Sequence, residues 1–288
     1  MWRAATEQDL QWMDAFLRDH IQSSMFLLGN LRDFGLDSDA PYGLKLWVLE
    51  QGEGVFAISN SGSILMQAPD ASSEVWRAAS GLIAGRDISG VLGDMPQVRS
   101  FAKAAGLNDA DMMLDSDDLG FRLELCDLNV APRAGDRLIR LADADRSLVE
   151  HWRGIYNQEA IGMDPETAAT TARDDIAKYV DNDSHRVLVS NGMPIAMTGF
   201  NTRLPEVVQI GGVFTPPEHR GHGHARHAVA LHLAEAKRDG IERAVLFAAN
   251  EAAAKAYRAV GFQPAGKFTL MLFQNAQKIR TLYVEART

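Results

Sequence analysis

Val207-Val208-Gln209-Ile210-Gly211-Gly212-Val213-Phe214-Thr215-Pro216-Pro217-Glu218-His219-Arg220-Gly221-His222-Gly223-His224-Ala225 contains three pieces in a fixed order. A run rich in β-branched residues reads as a strand. Two prolines stop it. A loop with glycines at alternate positions then leads into a long apolar-periodic stretch that reads as a helix from about 222 to 238. Gly221 and Gly223 permit close backbone approach and positive φ. The helix start offers unpaired amides and the positive end of the helix dipole, so the order strand, glycine loop, helix suits a phosphate group. A tight strand-to-helix turn would use the same glycines. The Gly211-Gly212 pair predicts a bulge, or a splay of this strand from its neighbour.

Other phosphate loops fit poorly. No Gly-Lys-Ser/Thr follows, as a nucleoside triphosphatase requires, and neither a third glycine nor a ribose-binding acid is placed for a dinucleotide fold. Downstream, residues 243–249 read as an apolar strand, followed by Asn250-Glu251-Ala252-Ala253-Ala254-Lys255-Ala256-Tyr257-Arg258-Ala259-Val260-Gly261-Phe262. Asn250 there suits a helix cap, and Tyr257 suits a core aromatic with a satisfied hydroxyl. Five of the eight histidines, His219, His222, His224, His227 and His232, fall in this region. No Cys or acid cluster completes a metal site around them, so no metal is expected. With Arg220, Arg226 and Lys255 or Arg258 they would add positive potential near a phosphate.

The two segments together resemble the GNAT family of acyltransferases. Arg220, Gly223 and Ala225 stand at the fixed positions of its pyrophosphate loop, Gln/Arg-x-x-Gly-x-Gly/Ala. Asn250, Ala253, Tyr257, Gly261 and Phe262 match its second motif. The resemblance implies acetyl-CoA as co-substrate. Arg220 and the backbone amides of Gly221, His222, Gly223, His224 and Ala225 would hold the pyrophosphate, and Val213, Phe214 and Thr215 would pair with pantetheine. Asn250 and Ala253 would lie along the same arm, and Tyr257 would protonate the departing thiolate. It implies direct transfer of an acetyl group to an amine of a small molecule or peptide. An acyl-CoA sensor without turnover, or a GNAT enzyme with another acyl donor or a thiol or hydroxyl acceptor, would share these motifs. An attacking amine must be neutral, so a base or water relay is expected. Glu206 and Gln209 on the strand and Glu159 after the domain's first helix are the candidates, at positions the family does not fix; Glu159 and Glu206 also suit plain surface charge. A backbone amide near Val213 would take the developing oxyanion.

Outward from this core, the chain echoes itself. Trp2-Arg3-Ala4-Ala5-Thr6-Glu7-Gln8-Asp9-Leu10 resembles Ile139-Arg140-Leu141-Ala142-Asp143-Ala144-Asp145-Arg146-Ser147-Leu148, and Gly106-Leu107 ends a short helix as Gly261-Phe262 does. Two copies of one fold are the simplest inference, with Val130-Ala131-Pro132-Arg133-Ala134-Gly135-Asp136 as the junction and domains at 1–134 and 135–288. In the first copy, helices are expected at 6–20, 72–84 and 96–105 and strands at 44–49, 54–59 and 64–67. In the second, helices fall at 145–158, 165–180 and 251–259, with strands at 185–190, 194–201, 206–215 and 268–273. The class is α+β: two GNAT-like domains, each a mixed, mostly antiparallel twisted sheet flanked by helices. The first copy reads Ala68-Pro69-Asp70-Ala71-Ser72-Ser73 where a glycine loop belongs, and Asp70 would oppose a phosphate; it resembles a degenerate GNAT copy. Trp12, Phe16, Phe26, Leu27 and Leu28 are expected in packing.

Composition sets the outer limits. The 288 residues are 46% hydrophobic and 23% charged, ordinary globular values that suit two domains. Net charge −9 argues against a nucleic-acid binder. No run approaches a membrane span and the head lacks signal-peptide character, so a soluble cytoplasmic protein is expected, of undetermined oligomeric state. Cys126, the one cysteine, cannot form an internal disulfide and follows the alternating Phe121, Leu123 and Leu125, where a buried or half-buried thiol is expected.

Overall fold

A computed structural model describes residues 1–50, 53–131 and 133–279. The chain forms two compact units, Met1–Asp118 with Lys267–Thr288, and Leu119–Gly266. In chain order the first half runs β1 (Trp2–Ala4), α1 (Leu10–Asp19), α2 (Ile21–Phe34), β2 (Leu44–Leu49), β3 (Val55–Ser59), β4 (Ser63–Gln67), α3 (Ser73–Leu82), β5 (Ile88–Asp94), α4 (Met95–Ala105) and β6 (Met112–Glu124). The second runs β7 (Asp136–Arg140), α5 (Arg146–Tyr156), α6 (Pro165–Asp181), β8 (His185–Ser190), β9 (Met193–Arg203), β10 (Val207–Phe214), α7 (His224–Arg238), β11 (Arg243–Ala248), α8 (Glu251–Arg258) and β12 (Gln263–Gln277).

The expected duplication is visible in the pairing. β1, β2, β3 and β4 join antiparallel in sequence order and β4 then pairs parallel with β5. β7, β8, β9 and β10 repeat that order, and β10 pairs parallel with β11. Two helices follow the first strand of each copy, one helix follows the fourth and one the fifth. A parallel connection needs a crossover, and α3 and α7 supply it. β3 and most of β4 are buried on both faces, as befits central strands covered by helices on each side.

The division does not fall near residue 134. Leu119 to Glu124 of β6 pairs with β11 in the second unit, whereas β12 from Phe268 onward pairs with β5 in the first. The closing strands are therefore exchanged between the copies. A linker composition at 130–136 marks where one copy ends in sequence, but backbone pairing decides where each compact unit ends.

Local chemistry sets the element starts. Asp145, Asp164 and Ser72 cap α5, α6 and α3 through side-chain oxygens. Arg3 donates to both oxygens of Asp9 at 2.8 and 2.6 Å, while Thr6 donates to Asp9 from its amide and hydroxyl. These bonds, the Arg3 guanidinium foremost, hold the Asp9 carboxyl well below the usual carboxylate range. The first unit's core gathers Phe56, Ile58, Ile64, Trp76, Ile88, Val98 and Phe101; the second's main core gathers Phe121, Val208, Ile210, Leu233, Leu246 and Phe262. Each large apolar side chain so buried contributes about 1.5–3 kcal/mol.

Three expectations need correction. The helix expected over 6–20 is broken at His20, and α2 follows it, burying Met25, Leu27, Leu28 and Leu31. The final strand is longer than 268–273. Cys126 is exposed, because the strand alternation ends in a 3-10 turn at Leu125–Asp127 that rotates its side chain outward. Among the described residues, no helix is long and apolar enough to cross a membrane.

The two parallel pairs differ at their ends. β4 and β5 register through Ser63–Gly90, Ile64–Val91 and Leu65–Leu92. Just beyond, the buried Gln97 side chain accepts a 2.6 Å hydrogen bond from the Ala68 amide and so fills the gap between the strands. Ser72 then caps the following helix. The first copy thus meets these two backbone amides with its own side chains. Gln97→Ala should leave the Ala68 amide unpaired and destabilise the unit by about 1–3 kcal/mol. Hydrogen exchange at Ala68 checks this: protection should fall in the variant, and unchanged protection would show that another group serves the amide.

Candidate active site

The second copy has the corresponding parallel pair. β10 and β11 register only at Val207–Arg243, Val208–Ala244 and Gln209–Val245, although β10 continues to Phe214. Against β9, β10 shifts register twice, between Gln209 and Ile210 and between Gly211 and Phe214. Gly212 has φ +62°, a conformation a β-branched residue would resist. The Gly211-Gly212 pair therefore forms the bulge expected of it, and the bulge turns the strand where its parallel partner leaves it. Phe214 is buried against Trp152, with ring centroids 6.2 Å apart, while Val213 is half-buried. Thr215 follows, its hydroxyl buried with no partner.

The loop after β10 makes a 3-10 turn at Pro217–His219, then passes Gly221 at φ +85° and Gly223 at φ +73° into α7. Gly223 is the N-cap residue and supplies no side chain to the first turn, so the leading amides of α7 lack the capping oxygen that Ser72 gives α3. A Cβ on Gly223 would stand 2.9 Å from Arg226 Nε as well as being strained by the positive φ. His222 is exposed, His224 and Ala225 are half-buried, and His224 Nδ1 is buried without a partner. Burial is the leading cause that lowers the His224 pKa, with Arg133 next.

Arg220 takes a different part from the expected one. Its Nε donates to the Thr215 carbonyl at 2.9 Å and its Nη2 to Glu159 Oε2 at 2.7 Å, and its guanidinium lies 5.7 Å from the Phe214 ring. It ties the loop to the strand end and to the short π-helix Asn157–Ile161. The guanidinium is thus already engaged, and Glu159, a candidate base, is engaged with it. Two of the histidines also belong to the packing: His227 Nε2 sits 3.4 Å from buried Asp136, and His232 stacks on Phe200 at 3.8 Å. Among the described residues no group of three or more His, Cys, Asp or Glu is placed to hold a metal.

Beyond β11, Asn250 accepts a 2.9 Å bond from the Ala253 amide and caps α8, so the helix-cap reading of Asn250 describes its side-chain oxygen. Tyr257 is half-buried on α8, its ring tilted 67° against Phe262 at 5.9 Å. Burial first, and then Tyr156, raises its phenol above the ordinary 10.0, which keeps it a proton donor at neutral pH. Glu206 is not brought to this end of the strand. It precedes β10, where its carbonyl accepts from Glu242 and Arg243, about 30 Å of extended chain from Thr215. Gln209 lies in the paired part of β10, 3% exposed, with Nε2 donating to the Ile210 carbonyl at 2.9 Å and Oε1 unpartnered.

Sequence reasoning missed a second polar group beside the bulge. His185, the first residue of β8, is fully buried and stacks on Tyr179 at 3.7 Å, with Arg153 over the other side of Tyr179 and over Tyr156. Arg153 Nε also donates to Asp175 at 2.7 Å. A lone histidine before Val187-Leu188-Val189 gives no motif; only its pairing with Gly199 in the sheet reveals its place.

With this geometry in view, comparison with known proteins is informative. Residues 147–262 match the model of the Acetyltransferase (GNAT) family. No curated protein matches the chain. Among solved structures, a GCN5-related N-acetyltransferase from Kribbella flavida is similar with TM-score 0.57 at 17% identity, over 89% of this chain and 95% of that one. A tandem GNAT protein from the clavulanic acid biosynthesis pathway gives TM-score 0.54 at 17% identity over 94% and 97%. A GCN5-related N-acetyltransferase from Sphaerobacter thermophilus gives 0.55 at 16% over 97% and 96%. At such identities the likeness is one of fold. The matched segment lies wholly inside the second unit and spans the bulged strand, the glycine loop, the α7 start and Tyr257. Residues 147–262, within the second unit, are thus similar to the acetyltransferase (GNAT) family, and the family match extends no further along the chain.

Proposed function

We propose that the second copy transfers an acetyl group from acetyl-CoA to an amine of a small molecule or peptide, and that the first copy is a non-catalytic partner. The observation that carries this reading is the interrupted β10–β11 pair above an uncapped helix start. Backbone groups left over there suit an extended amide-bearing arm, and the amides from Gly221 to Ala225 suit a pyrophosphate. The unpartnered Thr215 hydroxyl and His224 Nδ1 are further polar groups awaiting a ligand. Acetyl-CoA supplies the activated thioester.

The chain's own residues divide the remaining work. Val213, Phe214 and Thr215 align the arm through the backbone, and Asn250 with Ala253 shapes the opposite wall at the start of α8. Arg220 holds the loop closed on Glu159 rather than acting as a free cation. Tyr257 donates a proton to the departing thiolate; its raised pKa keeps the phenol protonated through the pH range in which an amine becomes nucleophilic. Glu206 is too far along the strand to accept the amine proton, and Gln209 does not titrate, so the amine enters neutral or loses its proton to water. Gln209 Oε1 lacks a partner, which supports Gln209 as a group to bind such a water.

Calorimetric titration with acetyl-CoA, followed by thiol release across an amine panel, tests the reading. Saturable binding with amine-dependent release is expected. Binding without release over the whole panel would make the protein an acyl-CoA sensor, and no binding would reject the donor. Gly223→Val should weaken acetyl-CoA binding about tenfold or more, since the positive φ costs an L-residue roughly 1–2 kcal/mol; unchanged affinity would remove the loop from the site. Tyr257→Phe should lower kcat about 100-fold with the Kd for acetyl-CoA kept within about threefold. Turnover equal to the parent enzyme would rule the phenol out as the acid.

A further inference from the structure

His185 carries a ring nitrogen, Nε2, that neither its packing contacts nor the proposed mechanism uses. Its imidazole is 0% exposed, yet Nε2 has no hydrogen-bond partner. A buried donor left in that state bears the full desolvation cost of a polar group. The fold nevertheless makes room for it deliberately. His185 lies opposite Gly199 in the β8–β9 register, and Gly199 lies opposite Gly211 in β10. A Cβ on Gly199 would fall 2.1 Å from the ring, and one on Gly212 would fall 2.8 Å from Nε2. Both positions must be glycine for the imidazole to cross β9 and reach the bulge. Nε2 therefore ends at the second of the two places where β10 shifts register against β9.

Orientation and charge are fixed from the other side of the ring. Tyr179 stacks on it with planes 13° apart, and Nδ1 is 2.9 Å from Ser184 Oγ. Ser184 Oγ is 3.5 Å from the Tyr179 carbonyl, the longer of its two contacts. Ser184 Oγ has one proton for these two contacts; when that proton goes to Nδ1, Nε2 carries the imidazole hydrogen. Burial, then the nearby Arg153 and Arg186, lower the imidazole pKa to about 3. The ring is neutral at any working pH and cannot serve as a base for an ammonium. It can serve as a fixed hydrogen-bond donor.

We propose that His185 is a catalytic residue of the acyl transfer, its Nε2–H bonding the carbonyl oxygen of the acyl group at the Gly212 bulge. The proposal rests on the acyl-CoA reading of the second copy. Negative charge gathers on that oxygen as the amine attacks, and a preorganised neutral donor in a water-poor site stabilises it without reorganising. The new bond joins the amine nitrogen to the acyl carbon, the carbon–sulfur bond breaks, Tyr257 gives its proton to sulfur, the amine's surplus proton leaves to water and water reprotonates the Tyr257 phenolate, while Nε2 keeps its own proton throughout. The backbone amide near Val213 would be a second donor to the same oxygen.

The test compares His185→Phe, which retains the stacking surface, with His185→Gln, whose amide nitrogen can stand near Nε2. The Phe variant should lose about 100-fold in kcat, with the KM for acetyl-CoA within about threefold and a melting temperature close to the parent. The Gln variant should recover at least about tenfold of that loss. Equal kcat in the parent and the Phe variant overturns the proposal. Because the Phe variant can fold poorly, the parent protein is also observed by 15N–1H correlation of its imidazoles. The His185 Nε2–H signal should move on adding acetyl-CoA, without acceptor, relative to adding CoA. Identical positions in the two complexes overturn the proposal even if acetyl-CoA binds. Failure of the parent to bind acetyl-CoA by calorimetry instead rejects the donor reading, and with it this one.

Discussion

When two parallel strands stop bonding partway along, each is left with a row of amides and carbonyls that something must satisfy. Most features of the second copy follow from that demand. Gly211 and Gly212 turn β10 at the point of separation, Phe214 anchors the turned end in the core against Trp152, and the prolines after Thr215 forbid the strand from continuing. In the first copy the same demand is met from within, by Gln97 on the Ala68 amide. In the second copy a glycine bulge and a glycine loop stand where the first has that side chain and a serine cap. The strand order, crossover helix and parallel register are otherwise repeated.

Charge is arranged sparingly around the glycine loop. Arg220 is paired with Glu159 and His227 lies against Asp136, so two of the residues that look like a cationic cluster in sequence are matched by acids. Binding a phosphate would then depend on backbone amides at the start of α7 and on the local dipole. That suits a chain of net charge −9, in which a phosphate must be attracted by local groups because the overall field opposes it.

The parts of the fold with strong periodicity and turn chemistry were legible: β2, β3, β8, β10, α6 and α7 fall within a residue or two of expectation, and the glycine pair correctly marked the bulge. α2 was not, because Ile21-Gln22-Ser23-Ser24-Met25-Phe26-Leu27-Leu28 lacks a clean helical stripe. Its burial pattern comes from packing beneath the sheet rather than from amphipathicity. The roles of Arg220 and Glu159 were illegible for another reason, since they are 61 positions apart and meet only in the fold. Glu206 was a candidate as a residue of the strand, but at about 3.3 Å per residue the strand carries it well away from the loop. His185 carried no local signal, because the glycines that accommodate it lie on other strands.

The exchange of closing strands has a bearing on how the chain is made. The first copy is synthesised before the second, yet the neighbour of β5 is β12, which begins at residue 263. During synthesis the free edge of β5 must wait while the whole intervening copy emerges, exposed to mispairing with other strands. β6, in turn, is made early and must remain available until β11 appears to receive it. Each half thus relies on a strand from the other part of the chain to complete its sheet, so removal of either half would strip the other of a closing strand whatever its chemistry.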